Sequence, residues 1–583
     1  MTALVLRELT KTYGTVSALD AVSLSVRPAD VVGVIGTNGA GKTTTMRLIL
    51  GLIKPTSGTS SVLGTDPWRA RPELRRRIGY LPGELKLDGR VTGSEFLQHF
   101  GHISGPVDAT FRAELVERLG LDPSRRIGTL SKGNKQKIGL VQALMHKPEL
   151  LVLDEPTSGL DPLVQREFLA LVREAKAAGQ AVFLSSHVIS EVQQCADQVA
   201  VLREGRLVRS ARLADLREAA LRTVRLVLRE ALTSDQQDEL ARAGFAPGPA
   251  SSPAPAAPGA GPDSWSRDAS PALPCPSWPS FPASPSPTSS SRNPTSSRPS
   301  SSCTATQDGR EPIMATDTLP LTRHALGRSW RGVTGWSAGL VAASLLYLPI
   351  YPSMGATGEL DAVISSLPPE LVSAFGFDAI STGAGYAQST LFGLIGFVLL
   401  TIAAVGWGAA LIGGEEESGT LELTLAHGVT RTQVALEACL TLAVRLGLVC
   451  AVLFVAVLAL NGPSQLGLTT EGAVAGTVAL YLLVLLGGFA ALTTGALTGS
   501  RSLSLAAGAG VAVLGYAFNA LGNQAEATRW LKGLSPYDWA FGPAPLAAGV
   551  AQGLAGGLAC IVGLCGLLVI TSVLGITRRD IGR

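Results

Sequence analysis

Hydrophobic and polar positions divide the chain near residue 320. Before it, short apolar runs alternate with stretches of helical spacing; after it, uncharged runs of Leu, Val, Ala and Gly reach membrane length. Three of the short runs, 30–35, 150–153 and 181–185, hold almost no polar residue, which predicts strands covered on both faces. Separated by helical patterns, they predict a mainly parallel α/β sheet with its chemistry at the carboxyl ends of the strands. The later runs, near 333–353, 389–413, 438–460, 473–499, 502–522 and 551–576, each approach or exceed the roughly 20 residues that cross a hydrocarbon core as helix. They predict an all-α domain of six transmembrane helices over 320–583.

Composition sharpens that division. Of the 583 residues 46% are hydrophobic, an average of a mixed first half and an apolar second half. A net charge of +3 is too small in so long a chain to imply a nucleic-acid partner, and no basic stripe interleaves with aromatics. The seven cysteines show neither metal spacing nor a disulfide framework, which suits a reducing compartment. The amino terminus lacks the basic-then-apolar pattern of a signal peptide, so this end is expected in the cytoplasm.

Between the halves, 249–313 collapses into Pro, Ser and Ala and cannot bury enough apolar surface to offset chain entropy. A disordered linker is expected. The alternative, a Pro-rich recognition segment, lacks repeated PxxP spacing tied to basic residues.

The first run opens into Gly36-Thr-Asn-Gly-Ala-Gly-Lys-Thr43, which fits GxxxxGK[ST]. Its glycines let backbone N–H groups close around phosphate oxygens, a following helix adds its positive end, Lys42 reaches the outer phosphates and Thr43 can ligand Mg²⁺. Gly36, Asn38, Gly39, Gly41, Lys42, Thr43 and Thr44 form the expected ATP-binding loop. The second run ends in Asp154 and Glu155; adjacent carboxylates closing an apolar strand are costly unless used. Asp154 is expected to hold Mg²⁺ and Glu155 to polarise the attacking water as general base.

Between these two motifs lies Leu130-Ser-Lys-Gly-Asn-Lys-Gln136, which resembles the signature sequence of ABC-transporter ATPases. The resemblance covers 1 to about 210, in the family's order, with Tyr13 before the loop, Ser158-Gly-Leu-Asp161 after the acidic pair and His187 after the third run. It implies a P-loop NTPase domain with an ABC helical subdomain, placed at 1–230. It also implies that Tyr13 stacks on adenine, Ser131 and Gly133 contact the γ-phosphate held by a second copy, Asp161 links the two sites and His187 senses the γ-phosphate. ATP hydrolysis then requires a homodimer. The chain departs from the pattern where the family has a Gln that contacts Mg²⁺: Gly83 or Glu84 stands there, and Glu84 is expected as a third metal donor beside Thr43 and Asp154. Met314-Ala-Thr-Asp-Thr resembles the start of a separate permease subunit, as if two reading frames had been joined. Read one base earlier, one choice of codons for Ser297 to Thr306 gives a tail similar to that of many such ATPases.

Arginines flank the predicted spans on one side: Arg323, Arg328 and Arg331 before the first, Arg431 and Arg501 in two loops, Arg578, Arg579 and Arg583 after the last. That bias puts both termini and the ATPase in the cytoplasm. Arg445, inside the third span, either snorkels to the cytoplasmic face or lines a substrate path. Glu415-Glu416-Glu417 is either a solvated charge run or the start of a coupling helix over 415–433 that docks into the ATPase. The half from 320 onward is similar to permeases of bacterial antibiotic and multidrug exporters of the daunorubicin-resistance type. That resemblance implies a homodimeric half-transporter of the bacterial plasma membrane, in which ATP hydrolysis expels a small amphiphilic substrate. A membrane-anchored sensor and a lipid flippase are the alternatives.

Overall fold

The computed structural model describes residues 2–218, 232–243, 319–354, 382–550 and 553–582. The expected linker, 249–313, and the junction proposed at Met314 lie outside them. Contacts divide the chain into two units, one of Met1–Asp215 with Ala315–Arg583, the other of Leu216–Met314. In the second, the helix Ser234–Arg242 starts from a capping box in which Thr233 and Gln236 satisfy each other's backbone N–H groups.

In the first unit the amino-terminal strands β1 (Leu4–Tyr13), β2 (Val16–Val26) and β4 (Ser57–Val62) form an antiparallel sheet in the order β2-β1-β4. The larger sheet runs β5-β6-β7-β3-β8-β9, from β3 (Val31–Ile35), β5 (Ile78–Leu81), β6 (Leu150–Leu153), β7 (Ala181–Ser186), β8 (Gln198–Arg203) and β9 (Arg206–Arg212). All its pairs are parallel except β8–β9. Every residue of β5, β6 and β7 is buried, as unbroken apolar runs require of strands covered by helices on both faces. Because β6, β7 and β3 are consecutive neighbours, the loops that leave their carboxyl ends emerge side by side.

The helices interleaved with these strands are α1 (Lys42–Ile49), α2 (Pro72–Arg75), α3 (Gly93–Ser104), α4 (Ala109–Arg118), α5 (Lys132–Leu144), α6 (Pro162–Ala177) and α7 (Ile189–Cys195). The one at the phosphate loop, α1, starts from Gly41, whose φ of 99° is open to glycine without strain.

Among the described residues, six further helices are long and apolar enough to cross a membrane: Pro320–Ser353, Gly383–Glu417, Arg431–Asn461, Thr470–Thr498, Arg501–Gln524 and Leu554–Arg578. Each coincides with a predicted span. The first begins earlier than its apolar stretch, because Arg323, Arg328 and Arg331 lower hydropathy without interrupting a helix. The second contains two π-helical stretches, Ala387–Gly396 and Ala410–Gly414, that hydropathy does not foreshadow. The fourth span is the central one, with 78% of its apolar window buried against 17% for the first and fifth.

Small residues let these helices approach closely. A Cβ on Gly408 would stand 2.3 Å from the Gly488 carbonyl oxygen, so spans two and four meet backbone to backbone. Gly406, one turn-fraction away, has nothing within 4 Å of such an atom. Gly408→Ala is therefore expected to lower the thermal unfolding midpoint in detergent by overpacking worth about 1–3 kcal/mol. Gly406→Ala should leave it unchanged or slightly raised, and equal midpoints for the two variants would contradict the close approach.

Candidate nucleotide site and its joint to the membrane helices

Three strand ends assemble the site. From β3 the chain turns through Gly36–Gly41, with Asn38 and Gly39 exposed at the crest, into α1. Buried Lys42 folds back, its Nζ donating to the carbonyls of Gly36 at 2.6 Å and Thr37 at 3.2 Å, and lies 3.9 Å from Glu155 Oε1. An ammonium held inside a ring of loop carbonyls and glycine N–H groups is arranged for phosphate. Thr44 follows in the first turn of α1 and is half-buried.

From β6 comes Asp154, only 2% exposed, yet every oxygen has a donor: Thr43 Oγ1 donates to Oδ2 at 2.7 Å and Ser185 Oγ to Oδ1 at 2.5 Å. Two hard oxygen donors on facing elements, a hydroxyl and a carboxylate, suit Mg²⁺ that keeps waters in its shell. Glu155 has φ +46°, a left-handed backbone that costs a non-glycine residue about 1–3 kcal/mol. Its N–H donates to Ser185 Oγ at 3.0 Å, which holds the turn and leaves the carboxylate between Lys42 and His187 Nδ1, 3.5 Å from the latter. Ser185 thus orients both acidic residues, a role its place inside an apolar run does not announce.

Glu84 is not drawn into this cluster. Its carboxylate is 83% exposed and paired with Lys86 at 3.5 Å, whereas the residue packed against Asp154 is Gly83, where an added Cβ would lie 3.0 Å from Oδ2. The oxygen donors that fit a metal here are Thr43 and Asp154.

The signature segment begins α5. Ser131 caps that helix by accepting from Asn134 N at 3.3 Å, and is itself exposed. Gly133 lies under the loop after the acidic pair, since a Cβ there would meet Gly159 O at 2.6 Å. Gln136 Nε2 donates to Pro156 O at 3.1 Å, tying α5 to the same loop. Asp161 caps α6 through the N–H groups of Leu163 and Val164, whose bonds hold its carboxyl below the usual range. Tyr13, at the end of β1, has Lys11 Nζ 5.0 Å from its ring centre.

The family model described as "ABC transporter" matches residues 19–158, and the one described as "ABC-2 family transporter protein" matches 226–527, more than half of the chain. The chain belongs to the ABC transporters. The bacitracin transport ATP-binding protein BcrA of Bacillus licheniformis is 40% identical over 34% of this chain and 67% of its own length. NatA, an ABC transporter ATP-binding protein of Bacillus subtilis, is 37% identical over 35% and 85%. A solved ATP binding subunit of an ABC transporter aligns at 30% identity over 37% of this chain and 92% of its own, with a TM-score of 0.35. The transporter carries its ATPase and its multi-pass permease on one polypeptide, and couples ATP hydrolysis to transport.

A joint between these two parts of the transporter is built on the loop between spans two and three. Its helix, Thr420–Ala426, places Glu422 at 8% exposure between Arg47 of α1, bonded through both nitrogens at 2.9 and 3.1 Å, and Tyr80 Oη of β5 at 2.8 Å. Burial beside that carboxylate pushes the Tyr80 hydroxyl well above its ordinary pKa, so it stays a donor. Five residues on, fully buried His427 meets Gln142 of α5 at 2.5 Å through Nε2, while Nδ1 bonds Leu423 O at 2.6 Å. A proton on Nδ1 serves Leu423 and leaves Nε2 to accept from the Gln142 amide. One short loop therefore grips the helix of the phosphate loop and the helix of the signature.

Arg75 of α2 donates to Val429 O at 2.7 Å, and Arg431 stacks 4.4 Å over Trp68 while donating to carbonyls of Leu52, Ile576 and Arg579. Beyond span six, Asp580 accepts from Lys11 Nζ at 2.6 Å and Lys54 N at 2.9 Å, with Ile581 buried. Glu416 pairs with Arg579 and Glu417 accepts from Arg501 N, so two of the three acids in the run have structural partners. Of the two readings of 415–433, docking is the one observed. Arg445 does not snorkel: it is 8% exposed and donates to Ala325 O at 2.8 Å.

Burial holds His427 to a pKa of about 3, and burial together with neighbouring His324, His102 and His427 does the same for His99. Both are neutral in the folded protein but charge in the unfolded chain below about 6.5. Their contribution is whole above that pH and declines as pH falls toward 3, by about 1.4 kcal/mol per pH unit for each. The unfolding midpoint should accordingly drop between pH 7.5 and 5.5, and His427→Gln, which keeps a neutral amide there, should make that drop shallower. A variant with the wild-type pH slope would contradict the assignment.

Proposed function

We propose that two copies of this chain form a pump that exports a hydrophobic or amphiphilic small molecule from the cytoplasmic side of a bacterial plasma membrane. The supporting observation is the joint: the loop carrying Glu422 and His427 is bonded at once to α1 and α5, the two helices whose first residues belong to the phosphate loop and the signature. In a head-to-tail pair these belong to different nucleotide sites, so closing both sites moves α1 and α5 together and loads the loop. The names of relatives agree with such cargo: BcrA is named for bacitracin transport, and YbhF of Escherichia coli for probable multidrug transport. Arginine placement supports a cytoplasmic ATPase and cytoplasmic termini.

In this reading the domains are the cassette 1–230, a linker 249–313 and the permease 320–583. Lys42 and the N–H groups of Gly36–Thr44 bind the triphosphate, Tyr13 stacks on adenine, and exposed Ser131 with Gly133 of the other copy close over the γ-phosphate. Asp161 faces the partner site. Thr43 and Asp154 would hold Mg²⁺, which offsets phosphate charge when bound. Glu155 accepts the proton of the attacking water; Lys42 and His187 on either side keep its carboxylate aimed, and His187 donates toward the γ-phosphate oxygen.

Glu155→Gln tests the assignment in the purified full-length chain. ATP binding should be retained and turnover should fall by about 10²–10⁴-fold, the contribution of a positioned general base. Undiminished turnover would remove Glu155 from that role. In inside-out vesicles the wild type should accumulate a fluorescent amphiphile only with ATP, and the variant should not; ATPase activity without movement of any amphiphile would favour a sensor.

A further inference from the structure

Where the first span meets the cassette there is a cavity of about 1510 Å³, walled by α3, the first span and the cytoplasmic ends of spans two and three. Its lining holds seven arginines and four carboxylates, so its field is positive. Most of the acids are already engaged. Glu437 accepts from Thr322 N at 2.7 Å and Gln433 at 2.8 Å, Glu95 from Thr92 N at 2.8 Å, and Asp88 pairs with Arg90 and Arg328. Glu415 is left within electrostatic reach of both Arg328 and Arg445.

Arg445 is the second observation. Its side chain is more than nine-tenths buried and lines the cavity, Nη2 serves Ala325, and Nε has no acceptor among the described residues. A buried guanidinium with an unused donor is a standing invitation to an oxyanion, which it binds in a fixed fork. The same cavity exposes Trp407, Leu411 and Ala438 from spans two and three. A cationic lining continuous with apolar membrane helices fits one chemistry, a negative head on an apolar chain. Thr420 and Thr424, on the helix that carries Glu422, also line it, so an occupant touches the joint to the ATPase.

We propose that this cavity seats the phosphate or carboxylate head of an anionic amphiphile, with its chain along spans two and three, and that it is where the exported molecule is loaded; the loading role rests on the export reading above. Binding is measured on the full-length chain in neutral detergent with dodecyl phosphate, dodecyltrimethylammonium and inorganic phosphate. Dodecyl phosphate should bind at least about tenfold more tightly than the cation of equal chain length, as charge-assisted hydrogen bonds imply. Inorganic phosphate, without the chain, should bind more weakly than dodecyl phosphate.

Arg445→Gln and, separately, Arg328→Gln should each weaken dodecyl phosphate binding several-fold, with ATP affinity retained as the check on folding. Arg328 keeps 32% of its side chain exposed, so it and the comparison of head groups decide the matter even where Arg445→Gln fails to fold. Equal affinity for the two head groups, or wild-type binding by both variants, would overturn the site. Nanodiscs separate the sources: competition by phosphatidylglycerol but not phosphatidylcholine marks a bilayer lipid head as occupant, and no competition by either marks a free amphiphile. Retained head-group preference without ATP-driven movement in vesicles would keep the site and sink export. Movement indifferent to head-group charge would sink the site alone.

Discussion

A carboxylate cannot be left alone away from water, and Glu422 is the place where this requirement organises the transporter. Removing one partner from a buried pair costs about 3–5 kcal/mol, because the other charge remains desolvated. Glu422 lies at the end of a loop from the membrane helices, yet both of its partners, Arg47 and Tyr80, belong to the cassette. The loop cannot drift from α1 without exposing or orphaning that charge. What looks like a contact between two domains is thus a constraint that neither can relax alone.

The sheet order gives this constraint its use. With β6, β7 and β3 adjacent, Asp154, Glu155, His187 and the phosphate loop converge at one edge, and α1 runs directly from that edge to Arg47. The chemistry end of α1, Lys42, and its mechanical end, Arg47, are five residues apart on one helix, about 7.5 Å. Any displacement of the phosphate loop reaches Glu422 through a rigid rod. The grip of His427 on Gln142 does the same for α5, and Arg431 ties the start of span three to the end of span six.

Much of this was legible in the sequence where chemistry is local. The phosphate loop, the acidic pair and the six spans are each written in contiguous residues, and each lies where its pattern put it. The joint was not, because its pairs are far apart in the chain: Arg47 with Glu422, Gln142 with His427, Lys11 with Asp580. The one available signal was Glu422 itself, a single acid between leucines in Thr420–Ala426, a position that apolar spacing marks as covered. Glu84 misled for a related reason. Its sequence position beside Gly83 suggested a donor, but the backbone turns Gly83 to Asp154 and Glu84 to water. Arg445 misled because it stands near the start of the apolar stretch, from which a long cation normally reaches solvent, whereas the helix itself begins at Arg431 and Arg445 Nη2 donates to Ala325 O of the first span.

Tight packing in the membrane is what lets the joint transmit rather than absorb motion. Spans two and four touch through the backbones of Gly408 and Gly488, and the buried fourth span packs against spans two, three, five and six. Close-packed interiors yield little to a local push and instead shift as units. Span two ends in the loop that holds Glu422, and span three begins from the same loop at Arg431. A pull on that loop therefore bears on two neighbouring spans at the ends that face the cassette, the region where the arginine-lined cavity sits. The same geometry explains why the acids of that loop differ in fate: Glu416 is bound just past the end of span six and Glu417 at the start of span five, Glu422 to the cassette, and of these four Glu415 faces the cavity.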